Sequence, residues 1–387
     1  MLDEIAEKRD CQSGQAGEAR GLARPDGREA GRKRAYEEDA RVKSYQIIDF
    51  GSPLKEADLP DPKPTGREVV VAVKAAGVCH SDLHIWEGGY DLGGGRRLQL
   101  KDRGIALPLT LGHETAGEIL SVGPEVKDRK VGEMVLVYPW IGCGVCRVCR
   151  AGFENLCMKP RCLGVHCDGG YSDEIVVPDS KYLLPLDGLD PVTVAPYACS
   201  GVTTYSALKK LGSVIKEEPV LVVGAGGLGL MCITILKAMG GKGAVVVDIS
   251  AERRAAALEA GALAAIDGAA PDALAQIQKA LGGPGWAAVD LVGSPQTSAL
   301  AFDSLAKGGK MIMVGLFGGA APWSLPLIPM KATTIEGSYT GSLAETRELL
   351  DLVRSGATPK IPIRTRPLAE ATDALEDLKV GRVVLTP

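Results

Sequence analysis

Three side chains from distant parts of the sequence could share one metal ion. They are Cys79 in GVCHSDLH (77–84), His113 in GHE (112–114) and Cys199 in ACSG (198–201). Two thiolates and one imidazole suit zinc, and three protein ligands leave a fourth position for water or substrate, as a catalytic ion requires. Glu114 adjoins His113, either as a fourth ligand in a resting state or as a neighbour outside the ligand set, and Asp82 could hold the imidazole from outside. Any one of these residues alone is more often simple core. The reading rests on the three together.

A second cluster, Cys143, Cys146, Cys149 and Cys157, has the spacing C-x2-C-x2-C-x7-C. Four thiolates close a tetrahedral shell around zinc with no open position, so this site would be structural. The cluster is too crowded and regular for a disulfide framework in a chain this long, and no secretory signal precedes it. A reducing compartment, the cytoplasm, is the expectation. Cys11, Cys162, Cys167 and Cys232 are left as buried or incidental thiols.

The third feature is a glycine-rich turn with Gly224, Gly226 and Gly229 in the pattern G-x-G-x-x-G. In a chain with 49 glycines the pattern alone is weak. Here it follows the strand-like PVLVV (219–223), opens a helix, and is followed about 24 residues later by Asp248, the context of dinucleotide binding. The first glycine permits the turn, the second lets backbone approach a pyrophosphate, and the third lets helix meet sheet. Through Gly227 and Leu228 the helix start offers free N–H groups and partial positive charge to phosphates. Asp248 should accept both adenosine-ribose hydroxyls and repel a 2′-phosphate, favouring NAD over NADP, with Arg253 and Arg254 close enough to soften the preference. Zinc and a nicotinamide cofactor together imply hydride transfer to or from a small molecule.

These groups need a scaffold, and the chain is long enough for two domains at 387 residues. Hydrophobic content of 45% and a formal charge of −4 describe a globular protein with no electrostatic reason to bind nucleic acid. No apolar run is long enough to cross a membrane. Residues 1–42, rich in both charges and poor in large apolar side chains, form a tail expected to be disordered. The strand-like pattern begins at Val42, which makes it a candidate alternative start.

From 43 to about 200, short strands alternate with Gly, Pro and Asp turns: 68–74, 116–123, 133–137 and 171–177. This describes a compact, partly barrel-like β domain, with 91–108 as a polar insert expected to be loop. From about 201 to 339, strands at 219–223, 244–248, 263–267, 287–292, 310–316 and 333–338 alternate with helices at 228–239, 251–260, 271–281 and 295–307. That rhythm specifies an α/β doubly wound parallel sheet. Residues 340–387, helical at 343–355 and 368–379 and ending in a strand, are expected to return to the first domain.

The segments AAGVCHSDLH (75–84), LGHETAGEI (111–119), GCGVCRVCRAGFENLC (142–157), ACSGVTTYSAL (198–208) and VGAGGLG (223–229) resemble the zinc-dependent medium-chain alcohol dehydrogenases. The resemblance covers 43–387, and the insert and ending are similar to the prokaryotic, commonly tetrameric branch. It implies a GroES-like catalytic domain, a Rossmann domain, and a homo-oligomer carrying NAD and two Zn2+ per chain, one catalytic and one structural. Cys2His is the known catalytic zinc set of alcohol dehydrogenase. By resemblance Cys79, His113 and Cys199 are its ligands with Glu114 close by, Ser81 touches the substrate oxygen, and His84 relays the proton to solvent. His80 and Arg382 would contact the cofactor phosphates and Arg253 the adenosine ribose, with Thr203, Val292 and Val314 completing the cofactor set. The long tail is foreign to the family.

Substrate identity is less legible. Tyr90 and Trp140 flank the metal segments as pocket candidates, with Trp86 a weaker one. A polyol dehydrogenase of the same superfamily is the nearest rival. A zinc-ribbon binding protein using 143–157 is a distant one, opposed by the acidic balance.

Overall fold

The computed structural model describes residues 41–357, 361–377 and 382–387. Most of the expected tail lies outside these residues. Its last two positions do not belong to a tail, because Arg41 and Val42 open the strand Arg41–Ile47, which pairs with Lys55–Pro60 and Leu109–Thr110. Val42, Ser44, Tyr45 and Ile47 are buried there, which fixes the strand against the first domain.

The centre of that domain is the long strand Val69–Val78, an apolar run of VVVAVKAAGV. It pairs antiparallel with Glu114–Val122, with Glu174–Val177 and with the terminal strand Arg382–Thr386. Met134–Val137 and Leu183–Pro185 extend the sheet beyond Glu114–Val122. The chain end therefore returns to the first domain, and Val383 pairs with Val78, which places Arg382 at the strand end toward Cys79.

The second domain holds six parallel strands: Val220–Val223, Ala244–Asp248, Ala264–Asp267, Gly285–Asp290, Leu305–Met313 and Thr334–Gly337. Numbered in chain order, they lie third-second-first-fourth-fifth-sixth across the sheet. VLVV and AVVVD are buried at every position, as expected for a parallel sheet covered by helices on both faces. Side chains pointing to opposite faces of this sheet enter two separate apolar clusters, one of them continuous with the core of the first domain. The strand order reverses between Val220–Val223 and Gly285–Asp290. A crevice at the carboxyl ends of those strands is where such sheets take ligands.

The insert at 91–108 is not simply loop. Gly89–Asp91 and Arg97–Gln99 form a two-stranded hairpin, followed by a single turn at Leu100–Arg103. Three consecutive glycines at its tip, all with positive φ, hide the strands from pattern reading. The hairpin is held from across the cleft, where Gly319 N donates to Asp91 O at 3.2 Å.

Candidate active site

Strand Val69–Val78 ends at Cys79, which starts the helix His80–Trp86. His113 immediately precedes strand Glu114–Val122, and Cys199 immediately precedes helix Ser200–Leu211. All three side chains are buried, and one ligand atom from each lies within 4.8 Å of the others. Cys79 Sγ and Cys199 Sγ are 3.8 Å apart. The segments expected to converge are brought together.

Asp82 organises this cluster from one helical turn away. Its Oδ2 accepts the Cys79 backbone N–H at 2.9 Å, and its Oδ1 lies 2.8 Å from His113 Nδ1. Tyr171 Oη also donates to Oδ2, at 3.3 Å. With Nδ1 engaged, His113 Nε2 is buried without a hydrogen-bond partner among the described residues. An orphaned buried ring nitrogen is costly in an apo protein and is what a metal ligand presents. Two sulfurs beside that nitrogen make the donor set fit zinc.

Without a cation between them, the three groups act strongly on one another. A hydrogen bond with Cys199, and beyond it the His113 imidazole, hold the Cys79 thiol well below its ordinary pKa despite burial. The hydrogen bond with Cys79, together with burial, pushes Cys199 up. Burial alone would lower the His113 pKa, but the Asp82 carboxylate reverses it to well above normal.

Glu114 does not join the group of three ligand atoms. Its Oε1 accepts the Ser200 N–H at 3.1 Å, and its Oε2 is paired with Arg382. Burial raises the Glu114 pKa to about 7 against the pull of Arg382. Arg382 is itself buried and its Nε has no partner among the described residues, so part of the guanidinium is still unsatisfied where it borders the cleft.

One cleft of about 740 Å³ joins this cluster to the second domain. Cys79, Ser81, His80, His84, Tyr90, Trp140, Cys199 and Arg382 line it from the first domain. Thr203, Gly224, Gly226, Gly227, Leu228, Gly229, Asp248, Arg253, Val292 and Val314 line it from the second. Three buried hydroxyls along it, on Thr203, Ser338 and Thr340, have no partner among the described residues. Buried polar groups without partners mark a place where a polar ligand completes the bonding.

The glycine turn suits a dinucleotide in detail. Gly224 has φ +98, and a Cβ there would meet Val292 Cγ2 at 2.7 Å. At Gly229 a Cβ would lie 2.1 Å from Gly224 O, so helix and strand approach too closely for any side chain. Gly226 faces open space. Asp248 Oδ2 accepts the Ala225 N–H at 2.8 Å and Oδ1 the Ser250 N–H at 2.8 Å, which locks the carboxylate at the rim. Arg254 is tied to the carbonyls of Asp248 and Ile249 and to Asp267, so it faces away from the role of anion receptor. Arg253 alone of the pair borders the cleft.

Near the metal cluster, the Trp140 ring lies 5.3 Å from His113, and its Nε1 donates to Ala198 O at 2.9 Å. The Tyr90 ring is 5.0 Å from His84. Trp86 instead donates to Ser52 O at 2.6 Å and does not border the cleft, so it is packing. Sequence reasoning missed Tyr339, whose half-exposed ring borders the cleft with its centroid 6.1 Å from that of Trp140. It missed Tyr171 as well. Neither tyrosine sits in a metal or phosphate motif, so no local signal marked them.

The second cysteine cluster forms a lobe away from this cleft. Ligand atoms of Cys143, Cys146, Cys149 and Cys157 lie within 4.8 Å of one another. Cys157 Sγ accepts N–H groups from Cys143 and Lys159, each at 3.3 Å. Backbone N–H groups of Val145 and Cys146 lower the Cys143 thiol to about 6, so it ionises readily for a cation. Of the remaining cysteines, Cys162 and Cys232 are buried. Cys167 is disulfide-bonded rather than an incidental thiol, and Cys11 lies outside the described residues.

Residues 65–188 match the alcohol dehydrogenase GroES-like domain, and 227–355 the zinc-binding dehydrogenase family. An NAD-dependent alcohol dehydrogenase of Sulfurisphaera tokodaii is 40% identical over 352 residues, 89% of this chain and 100% of that protein. A D-arabinose 1-dehydrogenase (NADP(+)) of Saccharolobus solfataricus is 35% identical, over 90% of this chain and 98% of that one. The crystal structure of an alcohol dehydrogenase from Aeropyrum pernix superposes with a TM-score of 0.81 at 30% identity, covering 89% of this chain and 100% of that one.

Proposed function

The chain belongs to the zinc-dependent, GroES-like alcohol dehydrogenase family, and from that premise we propose that it interconverts alcohols with aldehydes or ketones by hydride transfer to NAD at the Cys79–His113–Cys199 cluster. One observation carries the reading: three zinc-type ligand atoms lie within 4.8 Å of one another, and two of the residues that supply them, Cys79 and Cys199, line the same cleft as the glycine turn and Asp248. Zinc bound there would supply Lewis acidity toward the substrate oxygen, and NAD would supply the hydride acceptor.

The rest of the work falls to the protein's own side chains. Ser81 Oγ would take the proton of the substrate hydroxyl, and His84, which borders the same cleft, would hand it on to solvent. Burial and the neighbouring His80 lower the His84 pKa, which keeps its ring neutral and able to accept a proton near neutral pH. Asp82 holds His113 Nδ1, so Nε2 is the nitrogen offered to the metal. Trp140, Tyr90 and Tyr339 narrow the cleft around the reacting carbon and exclude water. Glu114 and Arg382 neutralise each other beside the site, with the remaining Arg382 N–H groups directed to a cofactor phosphate.

Asp248, fixed by two backbone N–H groups, favours the ribose diol of NAD. The four-cysteine lobe would hold a second zinc, giving two per chain. No helix among the described residues is long and apolar enough to cross a membrane; we place the protein in the cytoplasm as a homo-oligomer, for which mass measurement in solution should give a tetramer.

The test is incubation with NAD or NADP and a panel of primary, secondary, benzylic and polyol alcohols, following reduced-cofactor absorbance. NAD-linked oxidation of simple alcohols is expected. Turnover restricted to sugars or polyols would move the assignment toward the D-arabinose dehydrogenase relative, and no turnover with any alcohol would overturn it.

A further inference from the structure

We propose that the four-cysteine lobe shapes the substrate pocket, with Asn155 acting as a positioning residue for Tyr339. This deepens the alcohol dehydrogenase reading and rests on it. Asn155 lies in the turn Glu154–Leu156, between the lobe residues Cys149 and Cys157. It is buried, and its Nδ2 donates to the backbone carbonyl of Tyr339 at 3.0 Å, across 184 residues of sequence. A carbonyl can only accept, so this contact fixes which way the amide points.

The turn that carries Asn155 is anchored independently. Glu154 Oε2 accepts from Gly142 N at 3.1 Å and from Tyr182 Oη at 2.6 Å, and its Oε1 accepts from Lys181 Nζ at 2.8 Å. The lobe is therefore a fixed bracket. The segment it grips is not a relaxed one. Residues 338–342 join the sixth parallel strand to helix Leu343–Arg354, and Thr340 within them has φ +49. A β-branched residue resists that left-handed conformation, so outside contacts must hold it. Two carbonyls flanking the strained unit are gripped by the first domain, Tyr339 O by Asn155 and Gly341 O by Tyr138 Oη at 2.8 Å.

Tyr339 is what this grip delivers to the cleft. Its ring packs edge-on against Trp140, which packs against His113. Ser338, Tyr339 and Thr340 all border the cleft that Cys79 and Cys199 line. Tyr339 thus lines the pocket beside Trp140, and its backbone is held by a hydrogen bond from a residue two before a lobe ligand. Without that donor, Thr340 can relax from its strained conformation and the ring loses its fixed place.

The experiment uses the full-length, zinc-loaded enzyme, the near-isosteric variant Asn155→Asp, and Asn155→Ala. An Asp carboxylate keeps the shape but cannot donate to a carbonyl. The first readout is the kcat/KM ratio between a bulky secondary alcohol and ethanol, and the expected change is about tenfold in favour of the bulky substrate, carried mainly by KM. In a Tyr339→Ala background the same substitutions should leave the ratio unmoved, because the residue through which Asn155 acts is gone. Zinc content of Asn155→Asp should equal wild type. The second readout needs no turnover: hydrogen exchange of residues 338–341 should quicken in Asn155→Asp.

An unchanged ratio with unchanged exchange overturns the proposal, as does a shift that persists at full size in the Tyr339→Ala background. Loss of lobe zinc in Asn155→Asp without a change in the ratio overturns it too. Failure of wild-type enzyme to oxidise any alcohol would sink the functional reading instead, while the exchange result would still report on the Asn155 grip.

Discussion

The two cysteine clusters are close in composition and opposite in construction. The lobe gathers Cys143, Cys146, Cys149 and Cys157 from one short stretch, and its sulfurs are steadied by backbone N–H groups from that same stretch. The cleft site gathers Cys79, His113 and Cys199 from three segments placed by two strands and a helix, and a buried carboxylate, Asp82, aligns two of the three. Four thiolates would close one shell around an ion, while three ligands at the cleft would leave a position open. A local cluster can be built by its own loop. A site that must meet substrate and cofactor needs the whole fold to assemble it.

The sharpest way to break this contrast is His113→Ala. It removes a ligand of the open site only, so NAD-linked turnover should fall by about a thousandfold or more, the scale of several kcal/mol of lost metal assistance. Metal analysis should then find one zinc per chain in place of two. Loss of both ions would mean that the two sites do not form independently.

Ser81→Ala probes the proton path with the metal left in place. Turnover should drop by about a hundredfold or more, with zinc content unchanged. His84→Gln should cost less, since water reaches the ribose. Near-normal turnover in Ser81→Ala would remove Ser81 from the relay.

Asp82→Asn keeps the shape of the side chain and removes the charge beside His113. Zinc affinity of the cleft site should weaken by about 10- to 100-fold, measured by chelator competition, while the lobe ion stays put. Equal weakening at both sites would erase the distinction drawn here.

The smallest effect is expected in the lobe. Burial pushes the Glu154 pKa up, but hydrogen bonds from Lys181 and Tyr182 outweigh it and hold the carboxyl below its usual range. A depressed folded-state pKa adds stability above the ordinary carboxylate pKa and loses it as pH falls through the folded value. Glu154→Gln should therefore lower stability by about 1 kcal/mol at pH 7. The gap in Tm from wild type should close as pH drops below about 4, with the kinetics of ethanol oxidation barely changed.

The same contrast explains what was legible in the sequence. The lobe could be found from spacing alone, because every ligand and its neighbours lie within one loop. The glycine turn was legible because strand, turn, helix and Asp248 follow in a fixed order. Cys79, His113 and Cys199 carry no mutual spacing rule, and only their resemblance to known motifs tied them together. Tyr171, Tyr339 and Asn155 were invisible for a plainer reason: each acts through a contact far away in sequence, such as Asn155 Nδ2 on Tyr339 O. The hairpin at 89–99 was missed because two three-residue strands around a glycine tip have almost no pattern, and Gly319 helps to hold it from the other side of the cleft. The end of the tail was misjudged by two residues because burial of Val42 against the first domain outweighs the charged run before it.

The most direct test is an anomalous-difference map collected at the zinc absorption edge from crystals of the purified protein. Two peaks per chain are expected, one within the four-cysteine lobe and one about 2.0–2.3 Å from Cys79 Sγ, His113 Nε2 and Cys199 Sγ. A fully zinc-loaded protein with no peak among those three atoms would contradict the account.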